Sequence, residues 1–347
     1  MKDLKELKRN ELINEFKNAG FPSYRGEQVF NWLYKNGVSM TEEMKNIPKD
    51  LRAYIDENYK ITDLKEKNKN ISKDGTVKYL WELEDNENIE GVYIPFPESG
   101  RHSACISTQV GCGLGCSFCA TGIDGLKRNL SAGEIVDQVL KIQQDISGDN
   151  FLEPRLSNVV FMGMGEPLAN FDNLMQAVDI INADNGLNIG MRKMTISTAG
   201  LVPEINKLAE TNDQIGLAVS LHAPNDRLRN KLMPINKKYN INQLLTAVIN
   251  YIEKTGRRVT FEYVLRDSLD DSPELAVQLA DLLRGINCHV NLIPANPVPE
   301  LNIKRPVQKV IDSFYSTLDN NGIQVTLRKE MGSEIDAACG QLKRKQR

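Results

Sequence analysis

The chain has no run of about 18 consecutive apolar residues, the shortest that crosses a bilayer as a helix, and its start, Met1-Lys-Asp-Leu-Lys-Glu, lacks the apolar core of a signal peptide. A membrane span and a membrane partner are therefore excluded, and a cytoplasmic location is expected. Net charge is also scarce. Against 43 Lys and Arg stand 46 Asp and Glu, so the balance of −3 announces no nucleic-acid partner, and any RNA surface has to be a local patch. The one dense basic run, Lys343, Arg344, Lys345 and Arg347, reads first as a solvated tail. Six cysteines in 347 residues, three of them in one loop, fit a reducing compartment better than a disulfide framework. This length admits one large domain and a smaller one.

What is present is organised around Cys112-Gly-Leu-Gly-Cys116-Ser-Phe-Cys119, three thiols spaced C-x-x-x-C-x-x-C. Thiolates converging from a short loop are a ligand set for a soft metal centre. Gly111, Gly113 and Gly115 should let the backbone turn the sulfurs toward one point, because glycine enters left-handed conformations without steric cost. Structural zinc and ordinary iron–sulfur clusters take four protein ligands, yet no fourth cysteine or histidine stands in the loop. A [4Fe-4S] cluster on Cys112, Cys116 and Cys119 leaves one iron open for a substrate. Three merely buried or redox cysteines are the bland alternative.

Along the chain, Leu12, Ile13 and Phe16, then Val29, Phe30, Trp32 and Leu33, then Leu51, Tyr54 and Ile55 predict a small helical bundle over residues 1–60. Residues 61–97 change to strands, with an Asp-Gly hairpin signal at Lys73–Thr76, alternation of Val77, Tyr79, Trp81 and Leu83, and a second turn at Asp85–Asn88. From 98 to 300 strand and helix alternate. Six strands, Ala104–Gln109, Asn158–Met162, Lys193–Ser197, Ile215–Leu221, Arg258–Val264 and Cys288–Ile293, suggest an α/β fold, a partial (βα)6 barrel. The Ser131/Glu134 capping box opens one helix between them. In such barrels chemistry sits at the C-terminal strand ends, and the chemistry-bearing stretches obey that rule. The cysteine loop follows the first strand, Gly163–Pro167 the second, Ser197–Gly200 the third, His222 the fourth and Asn296 the sixth. Residues 301–347 add a helix around Val307, Val310, Ile311 and Phe314, the strand Ile323–Leu327, and a tail carrying Cys339.

The cysteine spacing, with Phe118 before the last thiol, resembles the radical S-adenosylmethionine (SAM) enzymes. The stretches Cys105–Cys112, Cys119-Ala-Thr-Gly, Phe161–Leu168, Ser220–Asp226 and Ile335–Leu342 narrow the resemblance to the RlmN/Cfr family of RNA adenine methyltransferases, and run in family order across nearly the whole chain. The resemblance implies a radical SAM barrel with a helical accessory domain that contacts RNA, joined by a β-hairpin linker. It implies that Cys112, Cys116 and Cys119 hold the [4Fe-4S] cluster, and that Gly165, Glu166, Ser197, Ser220, Leu221, His222 and Asn296 bind SAM. By the same resemblance, Cys339 accepts a methyl group from one of two SAM molecules used per turnover. Cys105 resolves the covalent RNA adduct through a disulfide with Cys339, and Glu90 is the proton acceptor. The implied substrate is carbon 2 of an adenosine in 23S rRNA, with tRNA as a second substrate. Flavodoxin or ferredoxin would be the electron donor, and the chain would act as a monomer. From the residues alone, Ser197 and Ser220 read as caps, His222 as packing, Glu90 as a surface acid, and Cys288 as core. Rival readings are a carbon-8 methyltransferase of the Cfr type and a non-enzymatic zinc-containing RNA-binding module.

Overall fold

The structure, a computed structural model, describes residues 1–148, 153–211, 213–296 and 303–343. The apolar repeats at the N-terminus form helices Arg9–Asn18 (α1), Tyr24–Tyr34 (α2) and Lys49–Asn58 (α3), which bury Leu12, Phe16, Val29, Phe30, Leu33, Leu51 and Ile55. A Cβ at Gly26 would stand 2.5 Å from the Ile13 Cα, so the close approach of α1 to α2 requires glycine there. Strands Lys2–Asp3 (β1) and Tyr59–Lys60 (β2) pair in parallel and bring the two ends of this helical region together. A buried ion pair fastens it to the remainder. Lys5 Nζ lies 2.5 Å from Asp137 on helix Ala132–Ser147 (α4), with both side chains 1% exposed. Removing one partner of such a pair costs about 3–5 kcal/mol.

Strands Lys65–Ile71 (β3), Val77–Glu82 (β4) and Asn88–Phe96 (β5) run antiparallel around the two expected turns. Val77, Tyr79 and Trp81 point inward, the two rings stacked at 5.1 Å, while β3 is almost wholly polar, as suits an edge strand. β5 then pairs with Arg101–Cys105 (β6). The hairpin unit thus does more than connect. Among the described residues it extends the barrel sheet to ten strands.

The parallel part of that sheet contains β6, Asn158–Phe161 (β9), Met194–Thr198 (β10), Gly216–Ser220 (β11), Val259–Leu265 (β12), Cys288–Pro294 (β13) and Val325–Leu327 (β14), neighbours in that order. The short ribbon of Gln109–Gly111 (β7) and Leu126–Asn129 (β8) lies apart. The first strand differs from expectation. It ends at Cys105 because Thr108 and Gln109 give their N–H groups to the Met164 carbonyl at 2.9 and 3.2 Å, and Gln109 joins the ribbon instead. Helices α4, Phe171–Asn182 (α5), Val202–Glu210 (α6), Asp226–Leu232 (α7), Ile241–Thr255 (α8), Pro273–Leu283 (α9) and Gln308–Asn320 (α10) supply the crossovers and bury one apolar face each. The capping box at α4 is formed in both directions, Glu134 N–H to Ser131 Oγ at 3.2 Å and Ser131 N–H to Glu134 Oε2 at 2.9 Å. No helix among the described residues is long and apolar enough to cross a membrane. Of the basic tail, Arg344, Lys345 and Arg347 lie outside the described residues.

Candidate active site

A cavity opens at the C-terminal ends of the parallel strands, and all the sequence-predicted residues but Leu221, Glu90 and Cys105 meet there. Cys112, Cys116 and Cys119 line it from the loop after β6, Gly165 and Glu166 from that after β9, and Ser197, Ser220, His222 and Asn296 from the ends of β10, β11 and β13; Cys339 reaches it from the tail. The cysteine loop is shaped by two of its three glycines. Gly111 and Gly115 have φ of +76° and +63°, and a Cβ on Gly111 would come 2.0 Å from the Gly125 carbonyl oxygen. Gly113 is not left-handed, and a Cβ there would make only ordinary contact with Leu126, so that position does not require glycine. The loop is fixed from outside by Ser117 N–H to the Leu232 carbonyl at 2.9 Å and Ala120 N–H to the Gly340 carbonyl at 2.8 Å. Burial pushes the Cys112 thiol up to about 11 and Cys116 higher, so these sulfurs stay protonated until a cation deprotonates them. No three Cys, His, Asp or Glu side chains are grouped to hold a single metal ion among the described residues. The three thiols line one larger cavity instead.

Glu166 is 3% exposed and points inward. Its carboxylate accepts N–H groups from Ala199 at 2.8 Å and Leu168 at 3.1 Å, and its own N–H goes to Gln109 Oε1 at 2.8 Å. Burial outweighs these bonds and pushes its carboxyl up to about 7. Gly165, at φ +103°, packs against Gln109 so closely that a Cβ would lie 2.5 Å from the Gln109 Cβ. His222 is left-handed at φ +54°, a strained conformation for a non-glycine residue. Its Nδ1 accepts the Val264 N–H at 3.1 Å, so Nε2 carries the proton of the neutral ring, and burial holds its pKa well below the ordinary value. Leu221 does not line the cavity. It is fully buried and contributes backbone, its carbonyl taking Arg229 Nε–H at 3.1 Å.

Three residues that the sequence pattern did not single out belong to the site: Glu262 and Arg328 line the cavity, and Arg229 braces the strand ends that bear it. Arg229, 0% exposed, donates to the carbonyls of Ala199, Ser220 and Leu221 and so ties the ends of β10 and β11 together. Among the described residues, Glu262 Oε2 on β12 has no hydrogen-bond partner and only the Arg328 guanidinium 3.8 Å away, and the buried Asn296 Oδ1 has none; both residues line the cavity. Arg328 follows β14. Neither carboxylate nor guanidinium stood in a recognisable motif, and only the strand-end position could have pointed to them. Two orphaned acceptors in one cavity require donors, and the ammonium, ribose hydroxyl and amino groups of SAM are donors of this kind. The three thiols, the glycine-backed carboxylate and these acceptors therefore fit a cluster and SAM.

A second cavity adjoins the first, lined by Cys105 and Cys339 with Ile94, Phe96, Met162 and Arg328. Both cysteines are free thiols, and burial pushes Cys105 up to about 12. Glu90 lines neither cavity in this structure, and it is not a surface acid. It lies on β5, wholly buried, 3.1 Å from Lys78 Nζ on β4, and its Oε2 accepts the Lys343 N–H at 2.9 Å. Lys78 donates in turn to the Asp336 carbonyl at 2.9 Å. The Lys78–Glu90 pair thus grips the tail on both sides of Cys339. Thr121 Oγ1–H to the Leu342 carbonyl and the Gly332 N–H to the Asp74 carboxylate add further anchors. Cys288 is buried core, as expected.

Residues 106–280 match the radical SAM superfamily, and residues 2–61 match the ribosomal RNA large subunit methyltransferase N-terminal domain. The chain is 50% identical over 344 residues to a protein of Alkaliphilus oremlandii named "Probable dual-specificity RNA methyltransferase RlmN", covering 99% of this chain and 98% of that one. It is 47% identical to a Staphylococcus aureus protein of the same name, over 98% and 92% of the two chains. A crystal structure of a radical SAM methyltransferase from Sphaerobacter thermophilus superimposes with a TM-score of 0.94 at 44% identity, covering 99% of both chains.

Proposed function

We propose, for a chain that belongs to the RlmN family of radical SAM RNA methyltransferases, that it methylates carbon 2 of an adenosine in the peptidyl transferase centre of 23S rRNA, and the adenosine next to the anticodon of tRNA as a second substrate. The observation that carries this reading is the meeting of two free thiols, Cys105 and Cys339, remote in sequence, in a cavity that adjoins the three-thiol loop. Carbon 2 of adenine lies between two ring nitrogens and is too electron-poor to attack a sulfonium methyl group. When bound, the [4Fe-4S] cluster and SAM supply the one-electron chemistry that removes hydrogen from a methyl group instead.

The residues of the chain hold and release that methyl group. Cys112, Cys116 and Cys119 would ligate the cluster, Glu166 would accept from the methionine ammonium, and Ser197, Ser220, His222 and Asn296 would line the nucleoside. Cys339, as thiolate, takes a methyl group from one SAM and presents it to the base. After hydrogen-atom loss the methylene radical on Cys339 bonds to carbon 2, joining RNA to protein, and the adduct becomes closed-shell by giving up the carbon-2 proton to a base and one electron to the one-electron carrier that Cys112, Cys116 and Cys119 would hold. Cys105 then attacks the Cys339 sulfur, an S–S bond forms, and the S–CH2 pair goes to the methylene carbon, which gains a proton to become methyl. Glu90 enters first as the anchor of the tail. To accept the carbon-2 proton it has to release the Lys343 N–H and face the second cavity. The adenine must leave its stack to reach these thiols. A flavodoxin or ferredoxin would deliver electrons to the cluster of a monomeric cytoplasmic enzyme.

Incubation of the anaerobically reconstituted protein with SAM, a reductant and 23S rRNA or tRNA, followed by nucleoside mass spectrometry, tests this. 2-Methyladenosine is expected. 8-Methyladenosine would move the chain to the Cfr-type reaction, and unmethylated RNA would remove the reading.

A further inference from the structure

Two thiols have to ionise in this reaction, and only thiolates are competent nucleophiles. Cys339 loses its proton to solvent, its sulfur bonds to the sulfonium methyl carbon, and the broken C–S pair stays on the departing S-adenosylhomocysteine. Cys105 loses its proton before its sulfur attacks that of Cys339, oxidising the two sulfurs by two electrons as the methylene is reduced to methyl. Both sulfurs line cavities whose walls are mostly apolar, and burial pushes the Cys105 thiol up.

We infer that Arg328 is the group that makes both ionisations possible, a fixed positive charge facing first Cys339 and then Cys105; this rests on the reaction proposed above. The two cavities share eight described residues, and Arg328 is the only charged one among them. Its placement is set by the sheet. The N–H of Arg328 bonds to the Leu292 carbonyl at 2.8 Å, which continues the β13–β14 pairing one residue past Leu327 and delivers the side chain to the strand ends where Cys339 arrives. The guanidinium is flanked at a distance. Its nearest carboxylate, Glu262 Oε2, is 3.8 Å away, and Nη1 reaches the Met162 sulfur at 3.9 Å. Among the described residues no carbonyl or carboxylate takes a hydrogen bond from it, so its donors are left for what enters the cavities. Glu262 is itself kept in place by Asn291 Nδ2 at 3.0 Å and stops the arginine swinging away.

The other titratable or charged groups around these thiols do not supply a cation. Glu166, neutral His222 and the cluster thiols stand across the first cavity, Glu262 flanks the arginine, and Lys329 and Glu330 sit at the exposed rim of the second, Lys329 pairing with Glu98 at 3.4 Å. The charge effects agree. Arg328 opposes the burial that pushes the Cys105 thiol up.

The test compares wild type, Arg328→Gln and Arg328→Lys as reconstituted holoenzymes under anaerobic conditions. Iodoacetamide alkylation rates of Cys339 and Cys105 are followed by peptide mass spectrometry at fixed pH values from 7.5 to 9.5, where the rate is proportional to the thiolate fraction, with thermal melting as a check of fold. In Arg328→Gln both rates should fall roughly tenfold at pH 7.5, while Arg328→Lys stays near wild type. Unchanged rates in a folded Arg328→Gln protein overturn the inference. So does an Arg328→Lys profile that matches Arg328→Gln, because the charge would then not be the agent. A parallel incubation with SAM reports methylation of Cys339 by mass. If wild type takes up no methyl group there, the reaction proposed above fails, and the alkylation profiles still decide what Arg328 does.

Discussion

Replacing Lys78 by methionine should free the tail that carries Cys339. The wild-type tail is held at Asp336 by a bond from the Lys78 ammonium and at Lys343 by one to the Glu90 carboxylate, each 2.9 Å long. Bonds to charged groups contribute about 1.5–3 kcal/mol each, so the single substitution, which removes the first, lowers the local opening free energy by roughly 1.5–3 kcal/mol, and removing Glu90 as well lowers it by roughly 3–6 kcal/mol. At 1.4 kcal/mol per tenfold, the backbone of residues 336–343 should open roughly 10- to 10²-fold more often in the single variant and roughly 10²- to 10⁴-fold when both bonds are lost, which hydrogen–deuterium exchange read by mass spectrometry detects directly. The single substitution also strands Glu90 without its cation in a fully buried site, at a cost of about 3–5 kcal/mol to the whole fold. The double variant Lys78→Met/Glu90→Leu separates the two effects. It should recover most of the melting temperature and none of the tail protection. If tail exchange in both variants matches wild type, the buried pair does not position Cys339, and the role given to it here is wrong.

Three further outcomes are expected. Because burial holds the Glu166 carboxyl at about 7, SAM affinity measured by equilibrium dialysis should fall as pH drops below 7, where the neutral acid cannot pair with the ammonium; Glu166→Gln should be flat with pH and 10- to 100-fold weaker, the worth of about one charge-assisted bond. The stability of the unliganded protein runs the opposite way, since a raised carboxyl pKa favours the folded state at low pH and loses that advantage as pH rises through 7. Gly165→Ala should lower stability by about 2–5 kcal/mol in a denaturant titration, combining a left-handed Cβ with a 2.5 Å clash against Gln109; a cost below 1 kcal/mol would show that the loop yields. Cys112→Ala should abolish bound iron and sulfide and the brown colour while leaving the melting curve of the cluster-free protein nearly unchanged, whereas a zinc protein would be colourless before the change as well.

What could be read without coordinates were the features whose partners are close in sequence. The thiol spacing, the Ser131/Glu134 cap, the Asp-Gly turn and the alternation of strand with helix each report on a few neighbouring residues, and each is found within a residue or two of where it was expected. The first barrel strand was drawn too far because Thr108 and Gln109 look strand-like, yet their N–H groups go to Met164, more than 50 residues on. The grip on the tail was invisible for the same reason at greater range. Glu90 reads from the residues alone as a surface acid and Lys78 stands in no motif, and the backbone they hold lies some 250 residues away. Arg328 and Glu262 had no spacing to betray them, since their meaning comes only from the sheet order that sets β12, β13 and β14 side by side.

The central claim is that Cys339 carries the transferred carbon and Cys105 releases it. Reconstituted Cys105→Ala protein, incubated with SAM, reductant and substrate RNA and then digested with nuclease and protease, should yield a peptide holding Cys339 joined through one carbon to adenosine, and Cys339→Ala should yield neither adduct nor methylated RNA. Methylated RNA released in normal amounts by the Cys339→Ala protein would contradict the account outright.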